Sequence, residues 1–280
     1  MTAIADMAAN AIRRATLMET LEVRVGKRTQ ELEEANEQLK ELDRLKSSFV
    51  SNVSHELRTP ITNVMLYLSL LQNPRKTKKR DVYLGVLQNE ANRLSTLIED
   101  LLALSRLDGD AESERKELHV MDALIADVID SQHARAEAKN FLLQHELNPG
   151  VPAVVVNREQ MIQVITNLMS NALSYTPPGG HVLLSSERIN TQKEPHIAMR
   201  VFNNGPVIPP EDRVHLFERF YRGQTGRDSG EPGTGLGLAI CKEIVERHSG
   251  WIEFESDAEV GTSFTIYLPL HDRAANSAVD

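Results

Sequence analysis

One cysteine in 280 residues, Cys241, leaves no partner for an internal disulfide and makes a reducing cytosol the natural compartment. No apolar run approaches the roughly 18 residues that a bilayer-spanning helix needs. The longest, Val64 to Leu71, contains Tyr67 and Ser69, so no membrane contact is expected within the chain. The first residues, Met1-Thr2-Ala3-Ile4-Ala5-Asp6, lack a basic region followed by an apolar core, which argues against a secretory signal. Positive charge is in deficit: 31 basic against 40 acidic residues give a net charge of −9. That balance excludes bulk nucleic-acid or anionic-membrane binding as the main activity. Aromatics are few, at 5% with a single Trp251, as expected of a chain built from aliphatic helices. What is present is ordinary for a globular protein, with 41% hydrophobic and 25% charged residues, so a disordered tail, a collagen and a disulfide mini-scaffold are all excluded. The length suits two globular units and a connecting element.

Residues 1–46 contain no proline and one glycine, Gly26. Apolar positions recur at Met18, Leu21, Val25, Leu32, Ala35, Leu39 and Leu42 in a 3-4 alternation that only Arg28 interrupts. Flanked by Glu and Lys, this is the pattern of a coiled coil. One amphipathic helix lying on its own domain would share it; the lack of a nearby packing partner favours a parallel dimer.

The apolar series continues through Phe49, Val53, Leu57, Ile61, Val64, Leu68 and Leu71 without a loop signal. The polar stretch 72–80 follows, with five basic residues that read as a solvated hairpin tip more readily than as an anion site. A second helical pattern then runs through Leu84, Leu87, Ala91, Leu94, Ile98, Leu101 and Leu104. Two antiparallel helices with one apolar stripe each cannot bury it alone; pairing two hairpins into a four-helix bundle does.

The acidic stretch from Asp108 to Glu117 reads as a boundary. Beyond it, short apolar runs (153–156, 181–184, 197–202, 251–255, 263–268) alternate with helical patterns near 121–139, 158–174, 210–218 and 236–248. This interleaving predicts a two-layer α/β sandwich, a mostly antiparallel sheet with helices on one face. The expected organisation is a coiled-coil helix over 1–46, a hairpin over 47–107, a linker over 108–117, the sandwich over 118–270 and a tail over 271–280. The fold class is thus α+β and multidomain.

On the first hairpin helix, with Val53 at the centre of the buried face, Phe49 and Leu57 sit within about 40° and His55 about 160° away. His55 is presented to solvent, with Glu56 beside it and Thr59 one turn on over the same face. Pro60 removes the hydrogen bond to the Glu56 carbonyl and predicts a kink one turn beyond the histidine. A zinc helix would need a second histidine at position 59, which is Thr59. A neutral imidazole can attack a phosphoryl group near pH 7, and the adjoining Glu56 carboxylate can orient the ring or take its proton. At Ser54-His55-Glu56-Leu57-Arg58-Thr59-Pro60 the chain resembles the phosphoacceptor helix of sensor histidine kinases, and the hairpin resembles their dimerisation and phosphotransfer domain.

Four further elements occur in order. Asn167, Asn171 and Tyr175 lie four residues apart on one helical stripe, beside the apolar stripe of Met161, Ile165, Leu168 and Ala172. Phe202-Asn203-Asn204-Gly205-Pro206-Val207-Ile208-Pro209 follows an apolar strand, and Phe217-Glu218-Arg219-Phe220-Tyr221-Arg222 comes next. Gly233-Thr234-Gly235-Leu236-Gly237-Leu238-Ala239-Ile240 opens a helix. Glycines 223, 226, 230, 233, 235 and 237 make the stretch before that helix a mobile lid, whose backbone N–H groups and helix N-terminus suit a phosphate chain. Ending with Gly261-Thr262-Ser263-Phe264, residues 118–270 resemble the Bergerat-type ATP-binding domain of histidine kinases.

The resemblance implies ATP and Mg²⁺ as cofactors. Position by position, it makes Asn171 the metal ligand, with Asn167 supporting the metal–phosphate end and Tyr175 near the adenine. Asn203 takes the place of the adenine-reading aspartate, and Gly205 and Ile208 line the base pocket. Phe217 and Phe220 anchor the lid, Arg222 reaches the phosphates, and Gly233, Gly235, Leu236 and Gly237 close over them. Thr262 lies at the pocket floor. Three residues depart from the family's pattern: Asn203 for aspartate, Val207 for a second loop glycine, and Ser174 where a phosphate-facing Lys or Arg is frequent. The uncharged Asn203 predicts an adenine bond weaker by about 1 kcal/mol.

The expected activity is that of a cytoplasmic homodimeric sensor histidine kinase core. It autophosphorylates His55 from ATP and passes the group to an aspartate on a response regulator receiver domain; Thr59 serves the reverse dephosphorylation. Competing readings are a catalytically weak dimeric scaffold or phosphatase-only adaptor, and a related ATPase of the chaperone, gyrase or mismatch-repair type, which would lack the histidine hairpin.

Overall fold

A computed structural model describes residues 2–72, 79–107, 115–138, 141–146, 153–190, 195–224, 226 and 233–270. The basic hairpin tip at 73–78, most of the acidic boundary at 108–114, Gly230 and the tail at 271–280 lie outside the described residues. The chain divides into two compact units, residues 1–56 and 57–280.

Helix α1 (Thr2–Leu71) carries its first 55 residues in the first unit. Its surface there is laced with short-range pairs: Arg28 to Glu31 at 3.0 Å, Lys40 to Glu37 at 2.8 Å, and Arg44 to Glu41 through two bonds of 2.9 and 3.0 Å. Such exposed pairs are screened by water and support a helix only weakly. The apolar series stands in solvent, with Met18, Leu21, Val25, Leu32 and Leu39 all about half exposed or more.

In the second unit α1 runs on through the buried Pro60, so the expected kink does not end or break the helix. Helix α2 (Arg80–Leu107) completes the hairpin. Asn63 Nδ2 donates to Glu90 Oε1 at 2.7 Å, and the Tyr67 and Tyr83 rings meet at 5.6 Å. Ile61, Met65, Leu68, Leu84 and Ile98 remain exposed along the hairpin.

The rest is a two-layer sandwich. Strand β1 (Glu117–His119) pairs antiparallel with β3 (Val154–Val156), which places Glu117 in the sheet and not in the linker. Strands β2 (Leu142–Glu146), β4 (His181–Asn190), β5 (Pro195–Asn203), β6 (Trp251–Asp257) and β7 (Gly261–Pro269) form one sheet in the order β2-β4-β5-β7-β6. Only the β2–β4 pairing is parallel.

One face of that sheet is covered by α3 (Met121–Ala138), α4 (Arg158–Tyr175) and α6 (Gly237–Arg247). Alternate strand residues Val182, Leu184, Ile197, Met199, Val201, Ile266 and Leu268 are buried almost completely. They meet Met161, Ile165, Leu168 and Ala172 of α4 and Ile240, Ile244 and Val245 of α6. Each large side chain so buried stabilises the fold by about 1.5–3 kcal/mol. The helical pattern expected over 210–218 closes early: α5 spans Pro210–Arg213. It continues as turns through His215 N–H to Asp212 O and Glu218 N–H to His215 O, which leave Val214 in solvent.

Candidate functional site

Helix α4 starts at Asn157, whose side chain accepts from the Gln160 N–H at 3.1 Å, and stops at Thr176. The following Pro-Pro-Gly-Gly turn closes through Gly180 N–H to Pro177 O at 2.8 Å. With its apolar stripe pinned to the sheet, α4 turns Asn167, Ser170, Asn171, Ser174 and Tyr175 toward a cleft of about 240 Å³.

The opposite walls come from Asn203 at the end of β5, from Pro206, Val207 and Ile208 after it, from Asp212, Tyr221, Arg222 and Gly226, from Gly233, Thr234, Gly235, Gly237 and Leu238, and from Thr262 and Phe264 of β7. Asn203 is buried and paired in register with Thr262. The Ile208 N–H donates to Ser256 Oγ at 2.8 Å, Ser256 Oγ meets Thr262 Oγ1 at 2.7 Å, and Arg213 bridges Ile208 O and Ser256 O. These bonds tie the wall to β6 and β7.

Most of the residues singled out by sequence converge here. Asn167, Asn171, Tyr175, Asn203, Ile208, Arg222, Gly233, Gly235, Gly237 and Thr262 all line the cleft. Gly205 and Leu236 do not. A Cβ at Gly205 would stand 2.5 Å from both Asn203 Nδ2 and Tyr175 O, so this glycine permits close approach of loop and helix. Leu236 is fully buried at the start of α6, and its role is to seat the loop rather than to face a ligand. Gly235 has φ +69°, and a Cβ there would come within 2.7 Å of the Phe220 carbonyl carbon. Phe220 itself has φ 65° and its N–H reaches Gly235 O at 2.9 Å, so this residue is held in a left-handed conformation rare for an aromatic side chain. Phe217 meets Phe254 at 6.2 Å. Asn167 Nδ2 donates to Gly237 O at 3.3 Å, which binds α4 to the first turn of α6.

Thr96, Asp100, Asp212 and Thr234 also line the cleft, although the sequence alone assigns none of them a role. Asp212 is buried and accepts from the Tyr221 hydroxyl at 2.6 Å and the Gln224 N–H at 3.1 Å. Asp100 accepts from the Thr234 hydroxyl at 2.6 Å. Burial pushes its carboxyl above the usual range, the Thr234 bond opposes this, and nearby Glu99 adds to it. A polar run after two prolines and an acid on a helix both read as solvated surface, and only the tertiary fold shows otherwise.

Chemically, the cleft combines carbonyl and hydroxyl oxygens at one end with glycine-rich backbone and a helix N-terminus, a surface suited to a phosphate chain. In the first unit, His55 is 77% exposed on α1 and its Nδ1 lies 3.9 Å from Glu56 Oε1.

Two family models match. Residues 45–110 match the His Kinase A (phospho-acceptor) domain and residues 156–272 the histidine kinase-, DNA gyrase B- and HSP90-like ATPase. The chain belongs to the sensor histidine kinases. The phospho-acceptor match separates it from the gyrase and HSP90 branches of the ATPase family, and the ATPase domain implies ATP binding. Among relatives of this chain, the sensor protein SrrB of Staphylococcus aureus (strain MRSA252) is 35% identical over 231 residues, covering 81% of this chain and 39% of SrrB. Drug sensory protein A of Synechocystis is 34% identical over 245 residues, covering 82% of this chain and 36% of that protein. The chain therefore spans less than two fifths of the length of these two relatives.

Among solved structures, the Acinetobacter baumannii histidine kinase AdeS superposes with a TM-score of 0.62 at 28% identity, over 78% of this chain and 98% of AdeS. The histidine kinase ThkA, solved in complex with the response regulator TrrA, gives 0.63 at 26%, over 82% of this chain and 64% of ThkA. Among the described residues, no helix is long and apolar enough to cross a membrane.

Proposed function

We propose that the chain is the catalytic core of a homodimeric, cytoplasmic sensor kinase that phosphorylates His55 from ATP. The phosphoryl group then passes to an aspartate on a response regulator receiver domain, and the same core dephosphorylates that regulator. The observation that carries the reading is the presence in one chain of an exposed, carboxylate-flanked histidine on a phospho-acceptor helix and an ATPase cleft lined by Asn167, Asn171 and glycine-rich backbone.

One imidazole nitrogen attacks the γ-phosphorus, the bond from that phosphorus to the β–γ bridging oxygen breaks, and ADP leaves with the electron pair. The ring's N–H proton passes to Glu56, whose Oε1 needs to move about 1 Å closer to Nδ1 for a hydrogen bond. Thr59 serves the reverse reaction on the regulator by positioning water.

Tyr175, Asn203, Ile208 and Thr262 hold the adenine end; Asn203 accepts from the amino group without charge. Gly233, Gly235, Gly237 and Arg222 take the phosphates, while Gly205 and Leu236 shape the loops that do so. The oxygen-rich end of the cleft, with the Asn171 amide and nearby Ser170 and Ser174 hydroxyls, fits a hard cation. Asn171 would ligate Mg²⁺ with support from Asn167. When bound, the ion neutralises charge on the triphosphate. The regulator-bound neighbour ThkA supports the choice of partner. The exposed apolar stripes of α1 and α2 support dimerisation.

The test is incorporation of label from γ-labelled ATP in wild type, His55→Gln and Asn171→Ala. Both variants should lose label, His55→Gln while retaining nucleotide binding. An unlabelled wild type that still binds nucleotide would mark a scaffold.

A further inference from the structure

Helix α2 buries Leu97, Asp100, Leu104 and Leu107, a stripe at spacings of 3, 4 and 3 residues, where it packs toward α6. Asp100 is the polar member of that stripe and is 7% exposed. A carboxylate among leucines is unfavourable unless a donor reaches it, and the Thr234 hydroxyl supplies one at 2.6 Å.

Thr234 belongs to the glycine-rich segment Gly233–Gly237 that lines the cleft. Its Oγ1 donates its proton to Asp100 and accepts from the Leu236 N–H at 3.2 Å. A polar chain thus runs from the start of α6, through the loop, to the hairpin. The Leu236 N–H is one of the backbone donors that a helix N-terminus offers an anion, and here the Thr234 hydroxyl engages it. Two anions therefore compete for one short segment: a carboxylate fixed on the hairpin, and the phosphate chain of a nucleotide.

We propose that Asp100 is a positioning residue that acts through Thr234, holding the Gly233–Gly237 loop on the hairpin against the demand of the nucleotide's phosphates. It rests on the reading of the cleft as an ATP site. Coupling of this kind is reciprocal: a hairpin conformation that withdraws Asp100 tightens nucleotide binding, and bound triphosphate loosens the loop from α2 by the same factor. Asp100 is thereby distinguished from a metal ligand, whose removal would weaken binding of the magnesium complex.

The measurement is calorimetric binding of Mg·AMP-PNP and of adenosine to the full chain, in wild type, Asp100→Asn, Asp100→Ala, Thr234→Val and the Asp100→Ala/Thr234→Val pair. Asn keeps the shape but offers Thr234 a weaker, neutral acceptor. A smaller gain in Mg·AMP-PNP affinity in the same direction therefore decides the matter should the alanine variant fail to fold. Loss of Asp100 should tighten Mg·AMP-PNP by about fivefold or more, and adenosine should change by less than about twofold. The double variant should gain no more than Thr234→Val alone, since the effect passes through that hydroxyl. Unchanged or weaker Mg·AMP-PNP binding, or an equal gain for adenosine, would overturn the proposal. Absence of any nucleotide binding by wild type would remove the cleft assignment itself, and this proposal with it.

Discussion

The Asn157 N–H donates to His248 Nε2 at 3.0 Å, joining the start of α4 to the end of α6. Because Nε2 is the acceptor, Nδ1 carries the ring proton, and it faces Ile244 O at 2.8 Å. One buried imidazole therefore satisfies a donor on one helix and an acceptor on the other. Replacing His248 with alanine strands the Asn157 N–H, whereas Ile244 O keeps the backbone N–H of residue 248 at 3.1 Å. The change should cost about 1–3 kcal/mol in urea unfolding. A loss well under 1 kcal/mol would mean that water replaces the ring.

Asp212 braces one wall of the cleft by accepting from the Tyr221 hydroxyl and the Gln224 N–H. In Asp212→Ala these donors lose their shared acceptor. Nucleotide affinity should fall by about tenfold, equivalent to roughly 1.4 kcal/mol, while Asp212→Asn retains part of it. Titration with Mg·AMP-PNP checks this, and equal affinity in the alanine variant and wild type would show that the wall does not depend on this carboxylate.

Burial of Asp100 has a pH consequence of definite sign. Its carboxyl is raised chiefly by desolvation, so the folded chain holds this proton more tightly than the unfolded chain does. Stability from this group is then greatest when it is protonated and falls as pH rises from the ordinary carboxylate range through the raised folded value. Asp100→Asn lacks that penalty. Its melting temperature should gain on wild type at about pH 8 relative to about pH 4, and a difference that ignores pH would contradict the assignment of charge.

The stripes of α1 and α2 leave Leu32, Leu39, Ile61, Met65 and Ile98 exposed in a single chain. Exposed apolar side chains spaced along a helix are the reason a second copy is proposed as the partner. Light scattering should give twice the 31.3 kDa chain mass, with Leu32→Ser/Leu39→Ser weakening the dimer. A monomer at micromolar concentration would contradict the proposed bundle.

The histidine string, the four cleft elements and the sandwich were legible because each combines a hydrophobic period with residue types that chemistry restricts. The 3.6-residue stripe of α4 predicted which face carries Asn167, Asn171 and Tyr175. Strands β1 and β2 escaped notice. The first is three residues long, and the second, Leu-Leu-Gln-His-Glu, presents mostly polar side chains on a sheet edge. The helical pattern at 210–218 overran because its residues satisfy an i, i+3 turn as well as a helix. Asp100 and Asp212 were illegible because an acid on a helix or after prolines is usually solvated. The donor to Asp100 is distant in sequence, and those to Asp212 come from a turn whose path the sequence does not reveal. Leu236 shows the reverse case, a motif residue whose side chain the fold spends on the core.

The most direct measurement is tandem mass spectrometry at neutral pH of the chain after incubation with Mg²⁺ and ATP, locating the added phosphoryl group and following its loss in acid. An acid-labile phosphoramidate on His55, absent in His55→Gln, is the expected result. A phosphoryl group mapped to any other side chain, or one that persists unchanged in His55→Gln, would contradict the assignment of this imidazole as the acceptor.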